Sequence, residues 1–166
     1  DIKHQFDFNT CVDYGCAKGF LVHALRIIGC NAFGEDISEY AISHCHPGVK
    51  EYVSLPNDNK YDLLICKDVL EHVQATDIPN VLQSLKRKSS QFFFAVPLGD
   101  NDRFRIREYE VDITHVTKKD EEWWINMFQS QGLKLIDFSY SFGSVKDKWM
   151  KVNPYGNGFF VMETNG

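Results

Sequence analysis

The sequence predicts an α/β fold: a mainly parallel sheet with helices on both faces. Three observations carry that expectation. Short apolar runs alternate with helix-period patterns through residue 97, in the order β-α-β-α-β-β-α-β. Two of the runs, "YDLLICK" (61–67) and "QFFFAVP" (91–97), are nearly continuous in apolar residues, as expected of central strands covered on both faces. The final third then changes character, with one helix pattern and two long strand patterns that suit an antiparallel hairpin at the sheet edge.

Taken in order, "TCVDY" (10–14) is the first strand, and "GFLVHALRIIG" (19–29) is a helix closed by Gly29. "NAFGEDI" (31–37) is the second strand, and "SEYAISHC" (38–45) is a helix with Ser38 as N-cap. "KEYVSL" (50–55) and 61–67 are strands, "IPNVLQSLKRK" (78–88) a helix, and 91–97 a strand. Residues 98–117 read as the longest irregular stretch, the kind of loop that is functional or mobile. "KKDEEWWINMFQSQG" (118–132) is a helix ending at Gly132, in which Trp123 and Trp124 either serve packing or set one ring at the substrate cavity. "LKLIDFSYSF" (133–142) and "GFFVMET" (158–164) are strands joined by the turn-rich 143–157. The chain reads as one domain over 1–166.

Composition narrows the function classes. The chain has 166 residues, 43% hydrophobic and 14% aromatic, enough apolar content for a proper core. It shows no membrane-length apolar run and no signal-peptide pattern at its first residues. Five cysteines without CxxC spacing point to reduced thiols and a cytoplasmic setting. A net charge of −5 offers no broad basic footprint, so nucleic acid is an unfavoured partner and a small-molecule acceptor the favoured one. Whether a partner chain or a second copy is involved stays open.

In an open parallel sheet, ligands bind beyond the carboxyl ends of the strands. There the first strand gives Asp13-x-Gly15-x-Ala17-x-Gly19, small residues that let backbone turn tightly and approach a ligand. Phe20 stands where a dinucleotide fingerprint needs a third small residue, and the Gly-Lys-Ser/Thr of a P-loop is missing. Asp36, at the end of the second strand, can accept both hydroxyls of a ribose or cap the helix that follows; Glu35 points the other way. Together these features indicate a nucleoside-containing ligand.

At these residues the sequence resembles class I S-adenosylmethionine-dependent methyltransferases: "VDYGCAKGFLVHAL", "GEDISEYAI" and "YDLLICKDVLEHV" match that family's first, second and fourth motifs in order and spacing. The resemblance implies a Rossmann-like seven-stranded sheet of order 3-2-1-4-5-7-6 with strand 7 antiparallel, and S-adenosyl-L-methionine as cofactor. It puts Asp13, Gly15, Ala17 and Gly19 beside the methionine part, Asp36 on the ribose, Ser54 and Leu55 at the adenine, and Lys67 near the methionine end. Ala17 stands where the family more often has glycine. Only about ten residues precede the first motif, where the family usually carries a lead-in helix, so the expectation is either a fragment or a lid supplied from elsewhere.

The activity implied is methyl transfer, with the oxygen of a small molecule or sugar as first expectation. An RNA end and a non-catalytic module that keeps the fold are the alternatives. His115 is the favoured general base, with His72 beside it. Asp68, Glu71 and His72 are spaced to face one point. With His115 they resemble the acidic-x-x-Glu-His set with which some O-methyltransferases, those acting on small-RNA ends among them, hold a divalent ion. Asp68 stands one methylene short of the usual glutamate. "HCH" (44–46) is set aside as a metal site because it lacks a second ligand pair. Arg103, Arg105 and Arg107 read as a solvated charged strand or as a grip on an anionic substrate group.

Overall fold

The computed structural model describes residues 1–165. Its elements are α1 (Ile2–Gln5), β1 (Thr10–Tyr14), α2 (Phe20–Ile27), β2 (Asn31–Glu35), α3 (Glu39–Ser43), β3 (Val53–Ser54), β4 (Leu63–Lys67), α4 (Ile78–Lys86) and β5 (Gln91–Pro97). They continue with β6 (Gly99–Asp100), β7 (Arg103–Phe104), α5 (Glu121–Ser130), β8 (Leu133–Ser139), α6 (Asp147–Val152) and β9 (Asn157–Thr164). A seven-stranded sheet runs β3-β2-β1-β4-β5-β9-β8. With the short β6–β7 ribbon left out of the count, this is the expected order. The pairings from β3 to β5 are parallel, and β9 lies antiparallel between β5 and β8.

The apolar runs explain the layers. Successive side chains of a strand face opposite sides. Leu64, Cys66, Phe92 and Phe94 therefore enter a core closed by Ile78, Leu82 and Leu85 of α4 and by Trp124 and Phe128 of α5. Leu63, Ile65, Phe93 and Ala95 enter a second core on the other face, closed by Val22 and Leu25 of α2 with Ile2 and Phe6. Glu35 is buried beneath the sheet end and meets Lys88 at 2.8 Å, which removes it from the side where Asp36 lies.

Several elements depart from the sequence expectation. The strand predicted over 50–55 shrinks to Val53–Ser54, because a 3-10 turn at Pro47–Val49 continues into a hydrogen bond from Tyr52 N to Val49 O. Helix α3 stops at Ser43, with the Ser38 hydroxyl accepting from Ala41 N as expected of an N-cap. Residues 98–117 are not structureless. They hold the β6–β7 ribbon and a 3-10 helix at Arg107–Glu110, and bury Phe104, Ile106 and Thr117. Arg105 is neither solvated nor free for substrate: it pairs with Asp100 and Glu121, both at 2.7 Å. The connection 143–157 contains α6, and α1 precedes β1 where the sequence predicts no element. Both helices are too short to show a helical period. Among the described residues, no helix is long and apolar enough to cross a membrane.

Candidate active site

The carboxyl ends of β1, β2 and β4 form one rim, and the loop after β5 reaches over it. At β1 the chain turns through left-handed backbone at Gly15 (φ +78°), Ala17 (φ +48°) and Gly19 (φ +74°). A side chain cannot be added cheaply there: a Cβ on Gly15 would lie 2.3 Å from Val69 Cγ2, and one on Gly19 2.8 Å from Val49 Cγ2. Gly15 N and Cys16 N donate to Glu35 O at 2.7 and 3.1 Å, which ties the turn to the end of β2.

Asp36 closes this turn from the β2 side. Its Oδ2 accepts from Ala17 N and its Oδ1 from Ser38 N, both at 2.8 Å. Each oxygen keeps lone-pair capacity for a further donor. Of the two sequence readings of Asp36, the structure shows the capping of the next turn. Ser54 and Leu55 lie alongside, with Asp36 N donating to Ser54 O at 3.1 Å. Ile37, which sequence reasoning passed over, is 81% exposed immediately beyond Asp36. A large apolar residue directly after the strand-end carboxylate was the signal available in the sequence.

Below the turn, Asp13 is buried, and burial pushes its carboxyl up to about 7 against the opposing pull of Lys67. Lys67 in turn contacts Asp68. The second oxygen of Asp68 is taken by Lys146, which arrives from the β8–β9 connection. Burial opposes the charge of Asp68, yet Lys146 and Lys67 hold its carboxyl below the usual range. Asp68 sits at φ +56°, so no regular helical turn joins it to the 3-10 helix at Leu70–His72 that follows.

Glu71, His72 and His115 come together instead, each offering a ligand atom within 4.8 Å of the others. Glu71 is buried, its Oε2 has no hydrogen-bond partner, and burial followed by the charge of Asp68 pushes its carboxyl up to about 8. The loop carrying His115 is fastened to the same residue, because Val116 N and Thr117 N both donate to Glu71 O, at 2.8 and 3.0 Å.

Hydrogen bonding assigns the tautomers of both imidazoles. His115 Nδ1 lies 2.8 Å from Tyr109 O, a carbonyl that can only accept, so Nδ1 carries a proton and the neutral ring presents its lone pair at Nε2, 3.7 Å from Asp112 Oδ2. Thr114 Oγ1 donates to Asp112 Oδ1 at 2.6 Å, so it accepts from His72 Nδ1 at 2.9 Å, and His72 Nε2 is likewise unprotonated. Burial, then the neighbouring His115, lowers the His72 pKa and favours the neutral ring. Tyr109, Asp112, Thr114 and Lys146 were not selected from the sequence, and nothing in their spacing marks them.

The remaining motifs do not join the site. His44 stacks on Tyr40 with ring centroids 4.1 Å apart, and His46 packs on His23 at 3.9 Å, so "HCH" serves local packing. Trp124 is wholly buried against Phe128.

A family model described as a methyltransferase domain matches residues 3–137. No curated protein sequence matches the chain. The fold is shared with mitomycin 7-O-methyltransferase MmcR (TM-score 0.72, 16% identity), with 96% of this chain and 51% of that one covered. It is shared as well with the small RNA methyltransferase HEN1 (TM-score 0.72, 16% identity), over 99% of this chain and 24% of that one. A third match is magnesium protoporphyrin IX methyltransferase from Synechocystis with bound SAH (TM-score 0.69, 16% identity), over 95% of this chain and 74% of that one. The chain thus spans about half the length of the first of these proteins and about a quarter of the second. The matched family model, the sheet order and the glycine turn agree: the chain belongs to the class I S-adenosylmethionine-dependent methyltransferases.

Proposed function

We propose that the domain methylates a hydroxyl oxygen of a small molecule or sugar, with S-adenosylmethionine as donor and a divalent ion held by Glu71, His72 and His115. The observation that carries this reading is the Glu71 carboxyl group, buried with Oε2 unpartnered and within reach of two imidazoles. Burial favours its protonated form, and a cation that displaces that proton would answer the unpartnered oxygen. Both His Nε2 lone pairs are available, and one carboxylate with two imidazoles suits Mg, Mn or Zn. Asp68, expected in the set from its spacing, is committed to two lysines, which supports a three-residue set. When bound, the ion supplies Lewis acidity that lowers the pKa of an acceptor hydroxyl.

The chain's own residues carry the remaining chemistry. Asp13, Gly15, Ala17 and Gly19 hold the methionine half of the cofactor, with Lys67 near its end. Asp36 accepts the ribose hydroxyls, and Ser54 and Leu55, joined by Ile37, border the adenine. The acceptor oxygen forms its bond to the methyl carbon as the carbon–sulfur bond breaks, and the sulfonium becomes a neutral thioether. Because the sulfonium is already activated, alignment and water exclusion supply most of the rate. With its Nε2 lone pair committed to the ion, His115 positions the acceptor and the hydroxyl proton leaves to solvent water; in the metal-free site His115 Nε2 would take that proton itself. Five free cysteines fit action in the reducing cytoplasm.

One observation favours a second reading, an RNA end as acceptor: the acidic-x-x-Glu-His pattern with a downstream histidine is the one the small-RNA group uses. A net charge of −5 counts against a polyanion. The test is transfer of labelled methyl from S-adenosylmethionine to phenols, sugars and a short RNA, after chelation and after return of Mn. Label on a phenol or sugar oxygen that is lost on chelation and restored by Mn supports the proposal. Label on the RNA alone supports the second reading, and full activity after chelation removes the metal.

A further inference from the structure

We infer that Lys146 is a positioning residue for the acceptor half of the site: it clamps the β8–β9 connection onto the turn after β4 and keeps Glu71, His72 and His115 facing one another. The inference deepens the reading above and rests on the same site.

The side chain of Lys146 is only 6% exposed, although it sits on a connection whose neighbours Asp147 and Lys148 are exposed. A lysine is buried at such a place only if its charge is answered. Here the answer comes from two directions: Asp68 Oδ1 contacts the ammonium, which also lies 5.0 Å from the centroid of the Tyr109 ring. Both ends of the ion pair stand on left-handed backbone, Lys146 at φ +57° and Asp68 at φ +56°. Neither is glycine, and such conformations persist where the surroundings over-determine them.

The partners of Lys146 are the residues that set the site. Asp68 lies three positions before Glu71, and its two oxygens are divided between Lys146 and Lys67. Tyr109 uses its carbonyl to fix the His115 tautomer, while its ring packs on His115 (centroids 5.8 Å apart) and on Trp149 of α6 (5.3 Å). The connection is tethered at both ends. Ser144 N and Oγ donate to Asp1 Oδ2 at 2.8 and 2.6 Å, and Asn153 Nδ2 donates to Arg105 O at 3.0 Å. Lys146 thus lies between two anchors, where losing its charge releases Asp68 Oδ1 and the Tyr109 ring together, with Asp68 Oδ2 still on Lys67, without detaching the segment.

The test compares wild type, Lys146→Met, Lys146→Arg and Asp68→Asn by Mn2+ titration read by electron paramagnetic resonance and by hydrogen exchange. Lys146→Met keeps the apolar stem and removes the charge. It should weaken Mn2+ binding about tenfold or more, as loss of support behind metal ligands does. Backbone exchange should quicken over residues 107–116 with α4 unchanged. Lys146→Arg should restore most of both, and Asp68→Asn should reproduce the exchange change if Lys146→Met folds poorly. Affinity for S-adenosylhomocysteine should stay the same in the two Lys146 variants, which leave the pair between Lys67 and Asp68 in place. Unchanged exchange over 107–116 in both Lys146→Met and Asp68→Asn overturns the inference, as does faster exchange that arginine fails to restore. If wild type binds no Mn2+, the metal assignment fails, and the exchange comparison still decides the role of Lys146.

Discussion

Gly15→Ala should damage the fold and the cofactor turn together, by an amount that the local geometry sets. The residue lies at φ +78°, where any L side chain is strained, and its new Cβ would stand 2.3 Å from Val69 Cγ2. The left-handed conformation costs roughly 1–2 kcal/mol and forcing a methyl into packed surroundings about 1–3 kcal/mol. A total near 3 kcal/mol corresponds to a fall in Tm of roughly 6–12 °C for a domain of this size. Calorimetry with and without S-adenosylhomocysteine would measure it. Adding Val69→Ala removes the Cγ2 that obstructs the methyl and should return the packing part of the loss, leaving roughly 1–2 kcal/mol of backbone strain. A Gly15→Ala protein that melts within about 1 °C of wild type and binds the nucleoside unchanged would refute this reasoning.

Asp36→Ala deletes the acceptor of Ala17 N and Ser38 N as well as the proposed ribose partner. The stabilisation expected from S-adenosylhomocysteine at 100 times its dissociation constant, about 2.7 kcal/mol, should largely vanish; an undiminished thermal shift would remove Asp36 from the site. Asp13 binds its proton more tightly in the folded state, up to about 7 against 3.8 for the free group. Its contribution is therefore full below 3.8 and lost as pH rises through about 7. Asp13→Asn should gain stability relative to wild type as pH rises across that window, and a difference in denaturation midpoint flat with pH would contradict the assignment. Lys88→Met strands Glu35 as a buried charge and should cost about 3–5 kcal/mol, whereas Lys88→Met with Glu35→Leu should recover much of it; equal losses in single and double variants would show that the pair is not coupled.

Local pattern made most of the fold legible. Continuous apolar runs announced β4 and β5, and the Ser38 cap and the glycines after α2 and α5 marked helix ends. Helices α1 and α6, of four and six residues, are shorter than any periodic signal, so tertiary contacts decide them. The 98–117 stretch read as irregular because its order comes from long-range ties, such as Arg105 to Glu121 and Thr117 N to Glu71 O.

The candidate site divides along the same line. Asp13, Gly15, Ala17, Gly19 and Asp36 could be placed because their chemistry lies within one strand-turn-helix unit and the next strand end. Spacing also grouped Asp68 with Glu71 and His72, on the assumption of a regular helical turn. The left-handed backbone at Asp68 breaks that turn, and Lys146, 78 positions away, claims its carboxylate. No local rule could anticipate a partner that distant. His115 is the converse case: the loop that delivers it is held by the main-chain carbonyl of Glu71, a contact without side-chain signature.

The measurement closest to the central claim is anomalous diffraction from crystals of the protein soaked in MnCl2 with S-adenosylhomocysteine. The account predicts one Mn2+ peak in coordination contact with Glu71, His72 Nε2 and His115 Nε2, while Asp68 stays bonded to Lys67 and Lys146 and the nucleoside lies along the glycine turn and Asp36. No peak at the three residues would contradict the account, as would a peak at Asp68 with Lys146 displaced.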